Sequence, residues 1–503
     1  MHISTVGNLI RDLAAEHGSR TALVFPELNA SYTFAELDAI TTNVAKNLYR
    51  AGFQKGDRFA VWANNLPEWI ILQFATAKIG VVLLTVNTGL KRQELEYVLK
   101  QSESRGLALV RGFRGVNFIE EFEAIRGHLP DLKEAYILPD AFESLAAPTD
   151  FQLPDIPLDP HECINMQYTS GTTGFPKGVM LSHHNILKNA FDISTRLRMT
   201  AEDTVCLQVP LFHCFGCVIA VLGAYTQASK LVGLTEFNPL RALEVIDRYK
   251  CTVIFGVPTM FIAILNHPDF DKFQTSSLRT GVMAGAPCPR EVMRAVIEKM
   301  GAREMLVAYG LTEASPGVTC SFPDDPIDVR VETVGRVLPD VEIKLVNGEL
   351  ATRGYHVMLG YYNMPEETRR AIRDGWLYTG DLATIDEQGN VRITGRSKDL
   401  IIRGGENIAP REIEEVLLTH PAIRDAYVFG VPDDFFGQKV AVAVQLKDGA
   451  TLATESLRDF CDNKMAHFKV PEFVEFVTSF PTTPSGKVQK YKLAEAWVAR
   501  NKR

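Results

Sequence analysis

Between residues 204 and 308 the chain alternates short apolar runs with amphipathic helical patterns. Runs such as "VCLQV", "TVIF" and "EMLVA" alternate with patterns such as "PLRALEVIDRYK" and "PREVMRAVIEKM". Short apolar runs are typical of strands that are covered on both faces, and their alternation with helices is typical of parallel sheets covered by helices. The pattern therefore predicts an α/β fold.

The composition and the hydrophobic pattern of the sequence change twice further along the chain. After about residue 320 it becomes rich in turns and strand-like runs, and Asn347-Gly348 is a good two-residue hairpin turn. From about residue 398 it resembles a separate α+β unit, with a helix predicted over 410–420. The segment between these parts, 395–407, is charged and contains glycines, which is typical of a hinge.

These changes predict two domains, because 503 residues are too many for one core. Residues 1–396 are predicted to form a large N-terminal domain of helix-covered, mostly parallel sheets with a β-rich part. Residues 397–503 are predicted to form a small, mobile α+β C-terminal domain, with its hinge near 396–399.

Composition excludes several classes of partner and compartment. A net charge of −8 argues against a general nucleic-acid binder. The apolar stretch 69–86 is interrupted by Lys78 and Gly80, so it predicts a buried helix and a strand, with no membrane span. The N-terminus lacks the layout of a signal peptide, and the eight scattered cysteines are typical of reduced core thiols. We therefore expect a cytoplasmic enzyme.

The stretch "YTSGTTGFPKG", residues 168–178, has the composition of a phosphate-binding loop. Glycines let successive backbone N–H groups point inward, hydroxyls add donors, and a lysine adds charge. A strand precedes the loop, and Ser182 is predicted to cap the helix after it. The residues predicted to bind a polyphosphate are Thr169, Ser170, Gly171, Thr172, Thr173, Gly174 and Lys177.

Four further segments follow in a fixed order. They are "AYGLTE" (308–313), "YTGD" (378–381), "GRSKDLIIRGGENIAP" (395–410) and "PSGK" (484–487). With the loop, these segments resemble the signatures of the adenylate-forming superfamily, which includes acyl-CoA synthetases, nonribosomal adenylation domains and beetle luciferases. Stretches such as "RGYHVMLGYYN" most resemble medium-chain acyl-CoA synthetases.

The resemblance implies a two-step reaction with ATP, Mg²⁺ and coenzyme A. A carboxylate attacks the α-phosphate of ATP to give acyl-AMP and pyrophosphate, and the thiol of coenzyme A then displaces AMP. It implies that Glu313 binds Mg²⁺, for which a carboxylate is a suitable ligand, and that Thr312 donates to the α-phosphate. The remaining implied nucleotide contacts are Gly285, Ala286 and Pro287 at the adenine, Tyr309 and Gly310 beside it, Asp381 at the ribose, and Arg396 at the ribose or a phosphate.

The resemblance also implies that the N-terminal domain binds ATP and the acid, and that the C-terminal domain changes its orientation between the two steps. Lys487 is implied to neutralise charge between carboxylate and α-phosphate, and His213 to stand beside the acyl carboxylate. Lys398 occupies the hinge position. Residues that are implied to face the coenzyme A tunnel are Gly404, Gly405 and Glu406.

The acid is predicted to be apolar. The stretches 211–225 and 253–265, which flank the expected acyl tunnel, contain no carboxylate, lysine or arginine, and Cys214 stands where an amino-acid substrate would need an acid. A medium-chain fatty acid is implied by the family likeness alone. An aryl acid, a carrier-protein phosphopantetheine as acceptor, and a homodimer stay open. A kinase is a rival reading, but it would release ADP, whereas the implied reaction releases AMP and pyrophosphate. A catalytically inactive, ligand-binding relative should have lost Lys487, Glu313 or Asp381, and all three are present.

Overall fold

The structure is a computed structural model. It describes residues 5–169, 176–286, 288–396, 399–403, 406–433, 435–462, 464–482 and 488–501, with Glu406 and Asn407 described by their backbone alone. The chain packs into two units. Unit 1 comprises Met1–Ile343 and Thr352–Leu377, and unit 2 comprises Lys344–Ala351 and Tyr378–Arg503. The predicted domain limit at residue 396 stays a prediction.

The described strands and helices follow one another along the chain with short connections. The strands are β1 (Thr21–Phe25), β2 (Ala30–Thr33), β3 (Arg58–Trp62), β4 (Val82–Thr85), β5 (Gly106–Val110), β6 (Gly112–Phe113), β7 (Val116–Asn117), β8 (Glu134–Leu138), β9 (Cys163–Thr169), β10 (Lys177–Ser182), β11 (Thr204–Leu207), β12 (Lys230–Gly233), β13 (Val253–Gly256), β14 (Thr280–Met283), β15 (Glu304–Gly310), β16 (Gly317–Cys320), β17 (Arg336–Val337), β18 (Val341–Val346), β19 (Glu349–Gly354), β20 (Gly360–Tyr361), β21 (Ile372–Arg373), β22 (Trp376–Ile385), β23 (Val391–Arg396), β24 (Ile401–Arg403), β25 (Glu406–Ile408), β26 (Ile423–Asp433), β27 (Gly437–Leu446) and β28 (Phe473–Phe476).

The α-helices lie between these strands. They are α1 (Val6–His17), α2 (Phe34–Arg50), α3 (Pro67–Lys78), α4 (Arg92–Gln101), α5 (Phe118–Glu123), α6 (Phe142–Ala146), α7 (His183–Arg196), α8 (Gly223–Thr226), α9 (Pro239–Tyr249), α10 (Pro258–Leu265), α11 (Arg290–Lys299), α12 (Ile327–Glu332), α13 (Pro365–Ala371), α14 (Pro410–Leu418), α15 (Thr454–Asp462) and α16 (Lys490–Asn501). A π-helical segment, Phe215–Leu222, precedes α8.

Unit 1 contains two large sheets, and both are mostly parallel as predicted. The larger has the strand order β17-β16-β15-β14-β13-β11-β12-β1-β2. Its central strands, from β15 through β12 to β1, pair in parallel, and antiparallel strands lie at its edges. The second sheet has the order β20-β10-β9-β4-β3-β5-β8. The central strands β11, β13 and β14 are buried along their whole length, because helices cover both faces.

The predicted phosphate loop is bounded by two strands rather than by a strand and a helix. Lys177 and Gly178, which the sequence places in the loop, begin β10, and β10 pairs antiparallel with β9. Helix α7 starts only after β10, where Ser182 caps it by accepting a hydrogen bond from Asn185 N at 3.1 Å, as predicted. One face of β10 is buried at Val179 and Leu181, and the opposite face is buried at Gly178 and Ser182. A strand that contains glycine and serine is therefore stabilised by tertiary packing.

Unit 2 contains a sheet with the order β25-β24-β27-β26, and β28 pairs with β27. Alternate residues of β27 face two different hydrophobic clusters. Val440, Val442 and Val444 belong to one cluster, and Ala441 and Ala443 belong to the other. This period of two explains why "KVAVAVQL" forms a strand that is covered on both sides. The predicted separate α+β unit is thus confirmed.

Two further predictions concern local structure. Asn347 and Gly348 join β18 to β19, and their φ values of 52° and 81° are those of the predicted two-residue hairpin turn. The stretch 69–86 forms a buried helix and a strand, α3 and β4. Among the described residues, no helix is both long enough and apolar enough to cross a lipid bilayer.

Candidate active site

Most predicted site residues of unit 1 lie at one edge of the larger sheet. Strands β11, β13, β14 and β15 run in parallel, so their carboxyl ends meet at the same edge. His213 lies beyond the end of β11, Gly285 and Ala286 follow β14, and Tyr309 and Gly310 close β15. In open parallel sheets, ligands bind outside the carboxyl ends of the strands. Four of these residues, His213, Gly285, Ala286 and Gly310, are exposed there.

A tight turn after β15 presents Thr312 and Glu313. Leu311 N donates to Pro316 O at 3.0 Å, and the chain returns as the antiparallel strand β16. Gly310 permits this turn, because a Cβ at its position would lie only 1.8 Å from Pro316 O. Asn189 of α7 fixes the far side, since its side chain both donates to Gly317 O and accepts from Gly317 N. The turn is therefore held by backbone and side-chain contacts together.

The carboxylate of Glu313 meets the first residue of the predicted phosphate loop. Thr169 Oγ1 donates to Glu313 Oε1 at 3.4 Å, and Tyr361 Oη donates to the same oxygen at 2.9 Å. Burial, together with the charge of Glu313, raises the pKa of Tyr361, so this phenol stays a donor. Thr169 and Glu313, predicted separately from two motifs, thus lie in direct contact.

Lys177 is paired with a residue that the sequence analysis did not identify. Its ammonium group donates to Glu367 Oε2 on α13 and lies 5.1 Å from the ring centroid of Tyr361. The hydrogen bond from Lys177 lowers the pKa of Glu367, which keeps that carboxylate ionised. The charge of Lys177 is therefore balanced by Glu367 in this structure.

His213 and Thr312 approach one another through the thiol of Cys214. Cys214 Sγ lies 3.6 Å from His213 Nδ1 and 3.9 Å from Thr312 Oγ1. Burial raises the pKa of Cys214 to about 12, so the thiol is protonated at neutral pH and is not a nucleophile. Phe215 N donates to His213 Nδ1 at 3.1 Å, which leaves Nε2 to carry the proton of a neutral imidazole.

Asp381 and Arg396, two of the predicted nucleotide ligands, lie in unit 2. They are direct partners in the register of β22 and β23, and Arg396 Nε lies 2.9 Å from Asp381 Oδ1. Thr379 Oγ1 accepts from Asp381 N and donates to Leu350 O, which fixes the turn before the carboxylate. Asp381 is thus a buried acid whose side chain is already oriented by a cation.

Several predicted site residues lie outside the described part of the chain. Glu406 begins β25, with its side chain outside that part. The others are Ser170, Gly171, Thr172, Thr173 and Gly174 of the phosphate loop, Pro287 at the adenine, Lys398 at the hinge, Gly404 and Gly405 at the coenzyme A tunnel, and the catalytic Lys487.

The sequence analysis missed Tyr361 and Glu367. Tyr361 lies 48 residues from Glu313, and Glu367 lies 190 residues from Lys177, so no local spacing connects either pair. Tyr361 falls inside a stretch that was noted only for its likeness to relatives. A tyrosine that ends a buried strand is more often a core residue than a partner of a site residue.

The donor set at Glu313 suits a magnesium–nucleotide complex. Within the described residues, no group of three or more histidine, cysteine, aspartate or glutamate side chains forms a metal cage. Mg²⁺ rarely uses such a cage, because it is usually held by one or two carboxylates, waters and the phosphates of the substrate. The half-buried carboxylate of Glu313, in contact with the first residue of the predicted phosphate loop, fits that mode of binding.

Comparison with known proteins covers both units. Residues 10–362 match the AMP-binding enzyme family, and residues 412–487 match the AMP-binding enzyme C-terminal domain. The protein named as acyl-CoA synthetase YngI in Bacillus subtilis is 46% identical over 98% of this chain and 97% of its own length. Mouse ACSF2, a mitochondrial medium-chain acyl-CoA ligase, is 39% identical over 98% of this chain and 87% of its own length.

Solved structures agree with this assignment. ATP-bound MatB from Rhodopseudomonas palustris superposes with a TM-score of 0.87 at 30% identity, over 98% of this chain and 99% of MatB. Bacillus subtilis o-succinylbenzoate CoA synthetase in complex with its acyl-adenylate has a TM-score of 0.84 at 27% identity, over 97% of each chain. The chain belongs to the AMP-binding enzyme family, in its acyl-CoA synthetase branch.

Proposed function

We propose that this enzyme activates an apolar carboxylic acid, a medium-chain fatty acid in the first place, and transfers it to coenzyme A. As a member of the acyl-CoA synthetase branch, it is an AMP-forming acid–thiol ligase that uses ATP and coenzyme A. The observation that supports the proposal is the contact between Glu313 and Thr169, because it joins the carboxylate proposed to bind Mg²⁺ to the first residue of the proposed phosphate loop.

The residues of unit 1 suit the first half-reaction. Glu313 would hold Mg²⁺, which shields the phosphates and stabilises the charge of the leaving pyrophosphate. Thr312 would donate to the α-phosphate, and the Nε2 proton of His213 would orient the attacking carboxylate. Because burial keeps Cys214 between them a neutral thiol, this side chain adds no negative charge that would repel the substrate carboxylate.

The apolar character of the acid is supported by the residues beyond His213. The segment Phe215–Leu222 is buried at every position from Gly216 onward and contains only apolar residues. Phe215 packs edge-on against Phe255, with ring centroids 6.0 Å apart. Apolar residues such as Phe215 and Phe255 would contact the methylene groups of a fatty acid or the ring of an aryl acid. The chain length rests on likeness to the medium-chain ligases such as ACSF2.

A panel of acids tests the substrate class. Fatty acids of increasing length, benzoate and an amino acid would each be assayed for AMP release and acyl-CoA formation. We expect medium-chain fatty acids to give the highest kcat/KM, with aryl acids next. A preference for amino acids, or for short dicarboxylic acids, would overturn the proposed apolar acid.

We further propose that the C-terminal domain serves the two half-reactions in different orientations. Lys487 would act in adenylation, and Lys398 would be the hinge that brings Gly404, Gly405 and Glu406 to the coenzyme A tunnel. Lys487→Ala should slow adenylation on the order of 10²–10³-fold, the scale of one lost transition-state donor, and should spare thioester formation from supplied acyl-AMP. Lys398→Pro, which fixes φ, should do the reverse. Equal loss of both steps in both variants would contradict this division.

Three further proposals concern the acyl acceptor, the cellular compartment and the oligomeric state. Coenzyme A is the proposed acceptor, and a carrier-protein phosphopantetheine would be revealed by a lower KM for the loaded carrier than for coenzyme A. A cytoplasmic location fits buried thiols such as those of Cys206, Cys217 and Cys461, which would be stable in a reducing compartment. Cell fractionation tests the location, and light scattering tests whether the enzyme is a homodimer.

A further inference from the structure

The turn that carries Glu313 is clamped by one segment of unit 1, residues 356–361. Met358 N donates to Glu313 O at 2.9 Å, and Ser315 Oγ donates to His356 O at 2.7 Å. Tyr361 then reaches the Glu313 side chain with its hydroxyl. The backbone and the carboxylate of Glu313 are therefore both held by the same stretch of chain.

Tyr361 is itself fixed by the strand that carries Lys177. β20 pairs antiparallel with β10, with Tyr361 opposite Val179 and Gly360 opposite Met180. Tyr361 N donates to Thr368 Oγ1 at 2.9 Å, and its side chain is only 9% exposed. A buried ring on a paired strand has little freedom to turn, so the position of its hydroxyl is set by the fold.

The two hydroxyl groups at Glu313 favour one arrangement of its carboxylate. Among the described residues, both hydroxyls that reach this side chain, those of Thr169 and Tyr361, donate to Oε1, and none donates to Oε2. A carboxylate held through one oxygen in this way directs the lone pairs of the other oxygen to a further ligand. Partners that orient a metal ligand are a large part of a metal site.

We propose that Tyr361 is a positioning residue for the metal–nucleotide site: its hydroxyl holds Glu313 Oε1 so that Oε2 binds Mg²⁺. The inference rests on the proposed role of Glu313. Tyr361 does not touch the reacting atoms. It holds the Glu313 carboxylate in one orientation before the metal–nucleotide complex binds, which lowers the entropy cost of binding. Its ring also lies beneath the ammonium group of Lys177, so the phenol lies between the predicted metal ligand and a predicted phosphate ligand.

Replacement of the hydroxyl alone tests the inference. Tyr361→Phe keeps the ring and its contact with Lys177, and it removes only the donor to Glu313. Binding of a non-hydrolysable ATP analogue would be measured by calorimetry on the full chain, once with excess Mg²⁺ and once with EDTA. We expect the affinity in Mg²⁺ to fall about tenfold, at the lower end of the range for outer partners of a metal ligand, and the affinity in EDTA to stay unchanged.

The neighbouring residue provides a matched control. Tyr362 Oη also donates to a carboxylate, Glu103 Oε2, at 2.7 Å, so Tyr362→Phe removes the same kind of bond one residue away from the site. We expect its affinity for the analogue to be unchanged in both conditions. Equal losses in the two tyrosine variants, or an equal loss with Mg²⁺ and with EDTA in Tyr361→Phe, would overturn the inference.

Two further variants complete the design. Thr169→Val removes the second, longer hydrogen bond to Oε1. Because Thr169 is also a predicted phosphate ligand, its affinity should fall in both conditions, and further with Mg²⁺ than with EDTA, which keeps the test available if Tyr361→Phe does not fold. Glu313→Gln separates the inference from the proposed function. If Glu313→Gln keeps the full effect of Mg²⁺, the metal role of Glu313 is wrong. If Glu313→Gln loses the effect and both hydroxyl variants keep it, only the inference about Tyr361 is wrong.

Discussion

One added methyl group at Gly310 should displace the turn that carries Thr312 and Glu313. Gly310→Ala places a Cβ 1.8 Å from Pro316 O and 2.7 Å from the carbonyl carbon. Both are backbone atoms, so no side-chain rotation relieves the contact. The two backbone segments must separate by about 1.2 Å before the distance reaches 3.0 Å, below which real Cβ contacts essentially do not occur.

The cost can be divided between stability and catalysis. Overpacking costs about 1–3 kcal/mol, and loss of the Leu311 N to Pro316 O hydrogen bond adds about 1 kcal/mol, so the free energy of unfolding should fall by about 2–4 kcal/mol. Thr312 and Glu313 lie two and three residues beyond the methyl group. Because a misplacement of about 1 Å costs on the order of 10²-fold in rate, kcat for adenylation should fall by about that factor.

Adenylation would be followed as acid-dependent pyrophosphate release, and stability by urea unfolding. Gly223→Ala is the matched control, because its Cβ would lie 3.6 Å from the nearest atom, Ala190 O, which is an ordinary contact. That variant should keep the wild-type rate and stability. A wild-type adenylation rate in Gly310→Ala would refute the argument, since it would show that the turn moves without displacing Thr312 and Glu313.

Further predictions concern the nucleotide, stability at low pH, and Glu367. Asp381→Ala should lower affinity for ATP at least about tenfold, because a hydrogen bond to an ionised group contributes about 1.5–3 kcal/mol; unchanged binding in calorimetry would make Asp381 a turn residue only. Burial lowers the pKa of His183 to about 4 from its ordinary 6.5. As the pH falls, the unfolded chain therefore binds this proton before the folded chain does, so stability on the order of 3 kcal/mol is present above pH 6.5 and is lost as the pH falls toward 4. Urea unfolding midpoints measured across this range would detect the loss. Midpoints that do not change with pH, in the wild type as in His183→Asn, would contradict this. Glu367→Gln frees the charge of Lys177 and should tighten ATP binding a few-fold at low salt, whereas weaker binding would show that the ion pair orients Lys177.

The sequence predicted the fold through features that act locally. The apolar runs that became β11, β13 and β14 are buried on both faces, and the amphipathic helices α9 and α11 each bury one apolar stripe. Ser182 and the Asn347-Gly348 turn were predictable because capping and hairpin geometry depend on a few adjacent residues. In these places local preference and tertiary packing favour the same structure.

The parts that were missed depend on contacts between distant residues. Strand β10 contains glycine and serine, and it is stabilised by its neighbours β9 and β20 rather than by its own propensity. Tyr361 and Glu367 reach the site only because β20 and α13 pack beside β10. The motifs identified Glu313, Thr312, Thr169 and Lys177, but the partners that orient them are set by tertiary structure.

Transfer of a heavy-oxygen label most directly tests the central claim that a carboxylate attacks the α-phosphate of ATP. The acid would be labelled at both carboxylate oxygens, and the products of one turnover with ATP, Mg²⁺ and coenzyme A would be separated and weighed by mass spectrometry. Attack at the α-phosphate places one labelled oxygen in AMP when the thiol displaces it, and pyrophosphate stays unlabelled. Formation of ADP with the label in inorganic phosphate would contradict the account, because the acid would then have attacked the γ-phosphate.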